Sequence, residues 1–322
     1  MADIAAAPRL SLGGGRTAAL LQEYGVYLAV AVLTVFNLAF TANFWSASNL
    51  RTQLVQAAPV IIVAIGMALV IGTEGIDLSV GAVMALVAAL VPLYLGYGVL
   101  AAFTVAVLAG AASGLFSGLL VARFGIQPIV ATLALLVGLR GLGLVIAHGQ
   151  LKEINDKTLL NLGTGDVLGV PIIVCFAAGA AAAAGILVGR TTFGRQLVAV
   201  GGNRSASMLA GLPVRRVLVI VYVLCGVLAA IAGLLATARL GASDPADVGQ
   251  LMELSAITAV VVGGTPLTGG RVRVLGTVAG ALLMQLVRAT LIKHNLPDSS
   301  AQMIQAALII VAVYTSRERS TR

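Results

Sequence analysis

Charge is what this chain has least of. Only 10% of its 322 residues are charged and 5% aromatic, with one tryptophan, two cysteines and two histidines. Soluble domains usually carry about 25% charged residues, so an ordinary soluble enzyme or binding module is excluded. Cys175 and Cys225 each fall inside an apolar run, which gives no disulfide framework. His148 and His294 are too few and too far apart to suggest a metal centre. No G-x-x-x-x-G-K-[ST] phosphate loop occurs, so hydrolysis of ATP is not expected of this chain. The opening MADIAAAPRLSLGGGR lacks the apolar core of a signal peptide and reads as part of a short cytoplasmic tail over residues 1–20.

What is present is apolar residue, 59% of the chain with a mean hydropathy of +1.05, and glycine, 38 residues of it. That composition describes a polytopic all-α membrane protein whose helices pack closely through small residues. The net charge of +8 would suit nucleic acid only if it were gathered in one patch. Here the basic residues are scattered between apolar runs, so no nucleic-acid partner is expected.

About ten spans can be laid out, at 24–42, 55–73, 78–95, 98–122, 126–146, 169–189, 215–236, 253–264, 274–292 and 299–314, the eighth being short for a crossing. They make one transmembrane domain over 21–315, followed by a short cytoplasmic tail at 316–322. An even number of spans puts both ends on one side. With that side cytoplasmic, thirteen arginines fall on it (9, 16, 123, 190, 195, 204, 215, 216, 271, 273, 317, 319, 322), against five basic residues outside (51, 152, 157, 239, 293). The imbalance orients the chain with both termini inside. Arg140 and Arg288 lie within spans; Arg140 is suited to pair with an acid or line a path, and Arg288 is near enough to an end to snorkel.

The chain is organised around LVQAAPVIIVAIGMALVIGTEGIDLSVGAVMALVAALV, residues 54–91. A single helix of that length would reach about 57 Å, nearly twice the ~30 Å hydrocarbon core, so it must be two spans. Their join holds Gly72, Glu74, Gly75, Asp77, Ser79 and Gly81 and is expected at or just inside one membrane face. Acids there cost roughly 2.5–3.5 kcal/mol each unless they face protein or water. Asp77 is placed to cap the start of the following span. The second half has a comparable break, GGTPLTGG, with Gly263, Gly264, Gly269 and Gly270 around Pro266. Two breaks in corresponding places describe two related halves with discontinuous helices.

Two segments between spans are long. The outer, His148 to Leu168, is polar. The inner, residues 190–216, contains RTTFGRQLVAVGGNRSASMLAGLPVRR, in which Asn203 can cap a short helix through Leu209 that ends at Gly211 and Pro213. The plain reading of that helix is an interfacial connector; the functional one is a docking element for a cytoplasmic partner. Tyr24, Trp45 and Tyr97 lie near span ends and read as interface anchors.

AAPVIIVAIGMALVIGTEGIDLSVG, IQPIVATLALLVGLRG, FGRQLVAVGGNRSASMLAGL and ELSAITAVVVGGTPLTGGRVRVLGTVAGAL, in this order and spacing, carry a resemblance to the permease subunits of ATP-binding-cassette importers for monosaccharides of the ribose, xylose and galactofuranose type. The resemblance covers residues 20–315. It implies a non-catalytic subunit of the bacterial inner membrane. The implied partners are a second permease copy or paralogue, a cytoplasmic ATPase that binds the ATP and Mg, and an extracytoplasmic sugar-binding protein. It places Gly75, Asp77, Ser79 and Gly81 near the path; Glu74 in the same join and Gly263, Gly264, Gly269 and Gly270 in the second break are added as candidate core or gating residues. It makes the segment with Gly194, Gly201, Gly202, Asn203, Ala206, Leu209 and Gly211 the coupling surface for the ATPase. Glu74 stands where the family commonly has glycine, and Ser255 where many members have aspartate. The outer stretch Gly241 to Leu254 looks more like galactofuranose-type members. The alternatives are a related importer of nucleosides or an autoinducer, or a secondary transporter using Asp77 or Glu74 as proton site.

Overall fold

The computed structural model describes residues 14–310 except 298, 301, 305, 308 and 309, with side chains from residue 24 onward. Half of the tenth expected span, the C-terminal tail and residues 1–13 therefore lie outside the described residues. The helices are α1 (Gly14–Phe40), α2 (Ala47–Gly72), α3 (Val80–Tyr94, continued by a single 3-10 turn), α4 (Val99–Ala122), α5 (Pro128–Ile146), α6 (Lys157–Thr164), α7 (Ile172–Arg190), α8 (Thr192–Gly202), α9 (Arg204–Leu209), α10 (Val214–Leu240), α11 (Met252–Val262) and α12 (Val274–Lys293). Four two-residue strands complete the order: β1 (Lys152–Glu153), β2 (Asp166–Val167), β3 (Val170–Pro171) and β4 (Ala242–Ser243). Antiparallel pairs form between β1 and β4 and between β2 and β3.

Among the described residues seven helical stretches are long and apolar enough to cross a membrane, and Tyr24–Phe40 and Met252–Val262 are shorter apolar helices. The first and eighth expected spans are those two shorter ones. The fold is thus all-α and polytopic, as expected.

Helix α2 is the centre. The Ser46 hydroxyl accepts the Asn49 N–H and caps its start. From Ala57 to Gly72 it is buried on nearly every side, which suits a helix apolar all round. Helix α10 packs antiparallel against it, with Gly66 close to Cys225, and α4 packs against α10 through Gly110, Gly114 and Gly118. A Cβ on Gly118 would stand 2.9 Å from the Val219 Cα, so backbone approaches backbone as in small-residue membrane packing. Ile62, Met67, Leu69, Ile71, Tyr222 and Leu234 fill the space between. The outward residues of α4, α5 and α7 are also apolar, Leu100, Val137 and Ile186 among them, as a bilayer requires and water would not. Helices α1 and α12 run side by side, joined where the buried Asn37 amide donates to the Thr290 hydroxyl at 2.7 Å.

The two ends of the bundle differ. At one, β1 and β4 tie the 148–168 segment to the end of α10, and Arg51 makes a 2.6 Å ion pair with Asp166. At the other, the two breaks and the segment after α7 come together. That segment holds two helices where one was expected. The Thr191 hydroxyl accepts the Gly194 N–H and starts α8, then the Asn203 side chain accepts the Ala206 N–H and starts α9.

Candidate functional site

The first break is deeper than a surface join. After Gly72 the Thr73 hydroxyl donates to the Val70 carbonyl at 2.8 Å, and Glu74 turns the chain with a φ of 64°. That left-handed conformation disfavours any residue with a Cβ and marks Glu74 as tolerated strain. Its side chain is exposed rather than turned into the bundle. The chain then climbs back inside. Gly75 passes under Tyr222, whose Oη would be 2.7 Å from a Cβ there. Asp77, 1% exposed, accepts the Ser79 N–H at 2.9 Å and the Ser79 hydroxyl at 2.6 Å, and the Cys225 thiol faces the same carboxylate. The acid therefore closes the turn before α3 rather than capping its first helical N–H groups. Cys225 lies about 17 Å along α10 at 1.5 Å per residue, so Asp77 sits well inside the bundle. The Tyr222 hydroxyl is fully buried and has no hydrogen-bond partner.

The second half enters the bundle from the opposite end. Beyond α10 the Ser243 hydroxyl donates to the Ala88 carbonyl, and residues 244–251 run beside α3 without forming a helix. Their carbonyls need partners at this depth. Arg140 supplies two, donating to Ala246 O and Gly249 O at 3.1 Å each. Leu251, at a φ of 56°, turns the chain into α11, with Glu253 in its first turn. A Cβ on Gly81 would be 2.6 Å from Glu253 Oε2, an atom that is buried and without a hydrogen-bond partner. The N-terminal ends of α3 and α11 thus meet in the middle of the bundle. Each presents the positive end of its helix dipole, with an acid beside it and a guanidinium nearby. Meeting half-helix ends of this kind are what solute sites in transporters are built from.

At the break end the two joins touch each other and α8. The Gly270 N–H donates to the Gly72 carbonyl at 3.1 Å. Gly201 is pressed against that same carbonyl, and a Cβ on it would stand 2.7 Å from the Gly270 nitrogen. A Cβ on Gly269 would stand 2.7 Å from Gly201 O and 2.9 Å from the Glu74 nitrogen. Gly264, Gly269 and Gly270 have φ values of 86°, 74° and 76°, which only glycine adopts freely. Gly263 ends α11 and is packed on Gly276.

The residues expected to form the coupling surface divide. Gly194 packs on the carbonyls of Leu187 and Val188 and Gly201 on the breaks, so both serve the interior. Gly202, Asn203, Ala206, Leu209 and Gly211 face outward. Leu209 is 91% exposed, an apolar tip on a short helix that is held at both ends. Sequence reasoning missed Tyr222, Gly249 and Glu253 as site residues. Arg140 alone carried a signal, a charge within an apolar run. Among the described residues no three His, Cys, Asp or Glu side chains gather as a metal centre would require.

Residues 49–313 match the family model described as branched-chain amino acid transport system / permease component. The chain is 36% identical over 309 residues to the ribose import permease protein RbsC of Escherichia coli K12, covering 94% of this chain and 96% of that protein. It is 36% identical over 296 residues to the fructose import permease protein FruF of Bifidobacterium longum, covering 88% and 83%. To the galactofuranose transporter permease protein YtfT of Escherichia coli K12 it is 38% identical over 266 residues, covering 82% and 78%. No solved structure matches. With broken helices meeting inside the bundle and a family match across most of its length, the chain belongs to the branched-chain amino acid transport system / permease component family.

Proposed function

We propose that this chain is the membrane-spanning subunit of an ATP-driven, binding-protein-dependent importer that passes a monosaccharide, a pentose or a furanose-form hexose. The observation that carries the reading is the backbone junction of Gly72, Gly201 and Gly270, where a solvent-facing helix pair touches both breaks. A push on α8 and α9 reaches the breaks through backbone, with no flexible side chain to absorb it. The sugar class is supported by relatives named for ribose, fructose, galactofuranose and L-arabinose import. The break end faces the cytoplasm on the arginine count, with both termini on that side. A separate ATPase takes up the ATP and Mg and seats on α9. A second permease copy or paralogue completes the path, and an extracytoplasmic binding protein delivers the solute.

Between the N-terminal ends of α3 and α11, Glu253 and Arg140 offer hydrogen bonds to a neutral polyol. The test is uptake into proteoliposomes carrying the permease, its ATPase and its binding protein, with ribose, arabinose, fructose and galactose offered in turn. ATP-dependent uptake of one of them is the expected result. Uptake driven by a proton gradient with no ATPase present would end the importer reading and return Asp77 to the role of proton site.

A further inference from the structure

Beside the break end lies a cavity of about 420 Å³ that the transport reading does not use. Tyr24 and Tyr27 of α1 form one wall, Gly185 and Gly189 of α7 another, and Arg271, Arg273 and the first turn of α12 the floor. Its size falls within the range of ordinary ligand sites, about 300–1,000 Å³. We infer that this cavity is a binding site for the headgroup of an anionic phospholipid, with the phosphate on Arg271 and Arg273 and an acyl chain lying along Gly185 and Gly189.

Four features support this. First, the cavity lies among α1, α7 and the start of α12, beside outward apolar residues such as Leu28 and Ile186 and next to Arg271 and Arg273. Second, Tyr24 and Tyr27 are 57% and 42% exposed, amphipathic rings at headgroup level. Third, each guanidinium has five N–H donors in a fork that matches phosphate. The N-terminal end of α12, which has no side-chain cap, adds its dipole in the same direction. Fourth, protein packing does not explain the glycines of α7. A Cβ on Gly185 or Gly189 would meet nothing within 4 Å, unlike those on Gly194 or Gly201. Two glycines one turn apart on that uncrowded face leave room for an acyl chain beside the cavity.

The test uses the full-length permease in detergent, with native mass spectrometry against phosphatidylglycerol, phosphatidylcholine, and soluble glycerol phosphate or inorganic phosphate. Wild type should retain phosphatidylglycerol over phosphatidylcholine. R271Q/R273Q should lose that preference by roughly thirty-fold, about fivefold for each arginine near an anionic surface. R271K/R273K should keep most of it and report whether the site still folds. Gly185→Leu, which fills that room and leaves the charges in place, should weaken the lipid but not the soluble phosphates. Equal retention of phosphatidylglycerol by R271Q/R273Q would overturn the site. So would displacement of the lipid by inorganic phosphate at comparable concentration, which would make the ligand a free anion. Loss of ATPase binding in R271Q/R273Q with lipid retention unchanged would overturn it too, by assigning the arginines to the ATPase.

Discussion

Gly201 and Gly202 are neighbours of identical chemistry, and substituting alanine at each should give opposite signs. An alanine Cβ at 201 would land on the Gly72 carbonyl oxygen and 2.7 Å from the Gly270 nitrogen. Those atoms are the two ends of the 3.1 Å bond that joins the breaks, and both are backbone, which cannot swing aside. Overpacking of this kind costs about 1–3 kcal/mol. Losing the bond adds about 1 kcal/mol. Against this stands the gain of alanine over glycine in a helix, about 1 kcal/mol. The net is a loss of about 1–3 kcal/mol for Gly201→Ala. At Gly202 a Cβ meets nothing within 4 Å, so only the helix gain remains and Gly202→Ala should be neutral or up to about 1 kcal/mol stabilising. Thermal unfolding in detergent reads the stabilities, and solute-stimulated ATP hydrolysis in the reconstituted complex reads the coupling. Gly201→Ala should lower both, and Gly202→Ala should not lower the stability. Identical behaviour of the two variants, or an unaffected Gly201→Ala, would refute the claim that α8 bears on the breaks through Gly201.

Two further outcomes follow from the first break. Glu74→Gly removes a left-handed Cβ and should be neutral or stabilising by up to about 1 kcal/mol, whereas Gly75→Ala meets the Tyr222 hydroxyl and should cost about 1–3 kcal/mol. Unfolding temperatures of the pair check this, and a destabilised Glu74→Gly would mean the carboxylate has a role its exposure does not reveal. Asp77→Asn can still accept both bonds from Ser79, whereas Asp77→Leu leaves two buried donors unpaired at about 1–3 kcal/mol each. Uptake and unfolding should both show asparagine to be the milder change, and equal, complete loss in the two would instead require the negative charge itself.

Local features were legible in the sequence, and meetings between distant segments were not. The Asn203 cap, the Gly211 stop and the glycine-rich breaks are each written in a few consecutive residues, so they could be read directly. Helix α8 was not, because TTFGRQLVAVGG mixes glycines with β-branched residues and reads as a loop; it is held by the Thr191 cap and by Gly201 seated on the breaks. The depth of Asp77 was hidden because an apolar run gives no mark of where its chain turns back. Glu253 stood in plain view, yet its place beside Gly81 depends on Gly249 reaching α3, a contact that no local pattern announces.

The path of residues 244–251 bears on how the protein is made. Helix α11 has 11 residues, about 17 Å at 1.5 Å per residue, too short to cross a ~30 Å core alone. In the eight residues before it the Asp244, Asp247 and Leu251 carbonyls take local N–H groups, while Ala246 O depends on Arg140, which lipid cannot replace. A chain emerging from the ribosome therefore cannot leave this stretch in the bilayer as an independent helix. It needs Arg140 already waiting on α5 to receive Ala246 O and Gly249 O, and Ala88 on α3 to receive Ser243. The first half of the sequence is the template on which the later half is laid, so assembly has a direction.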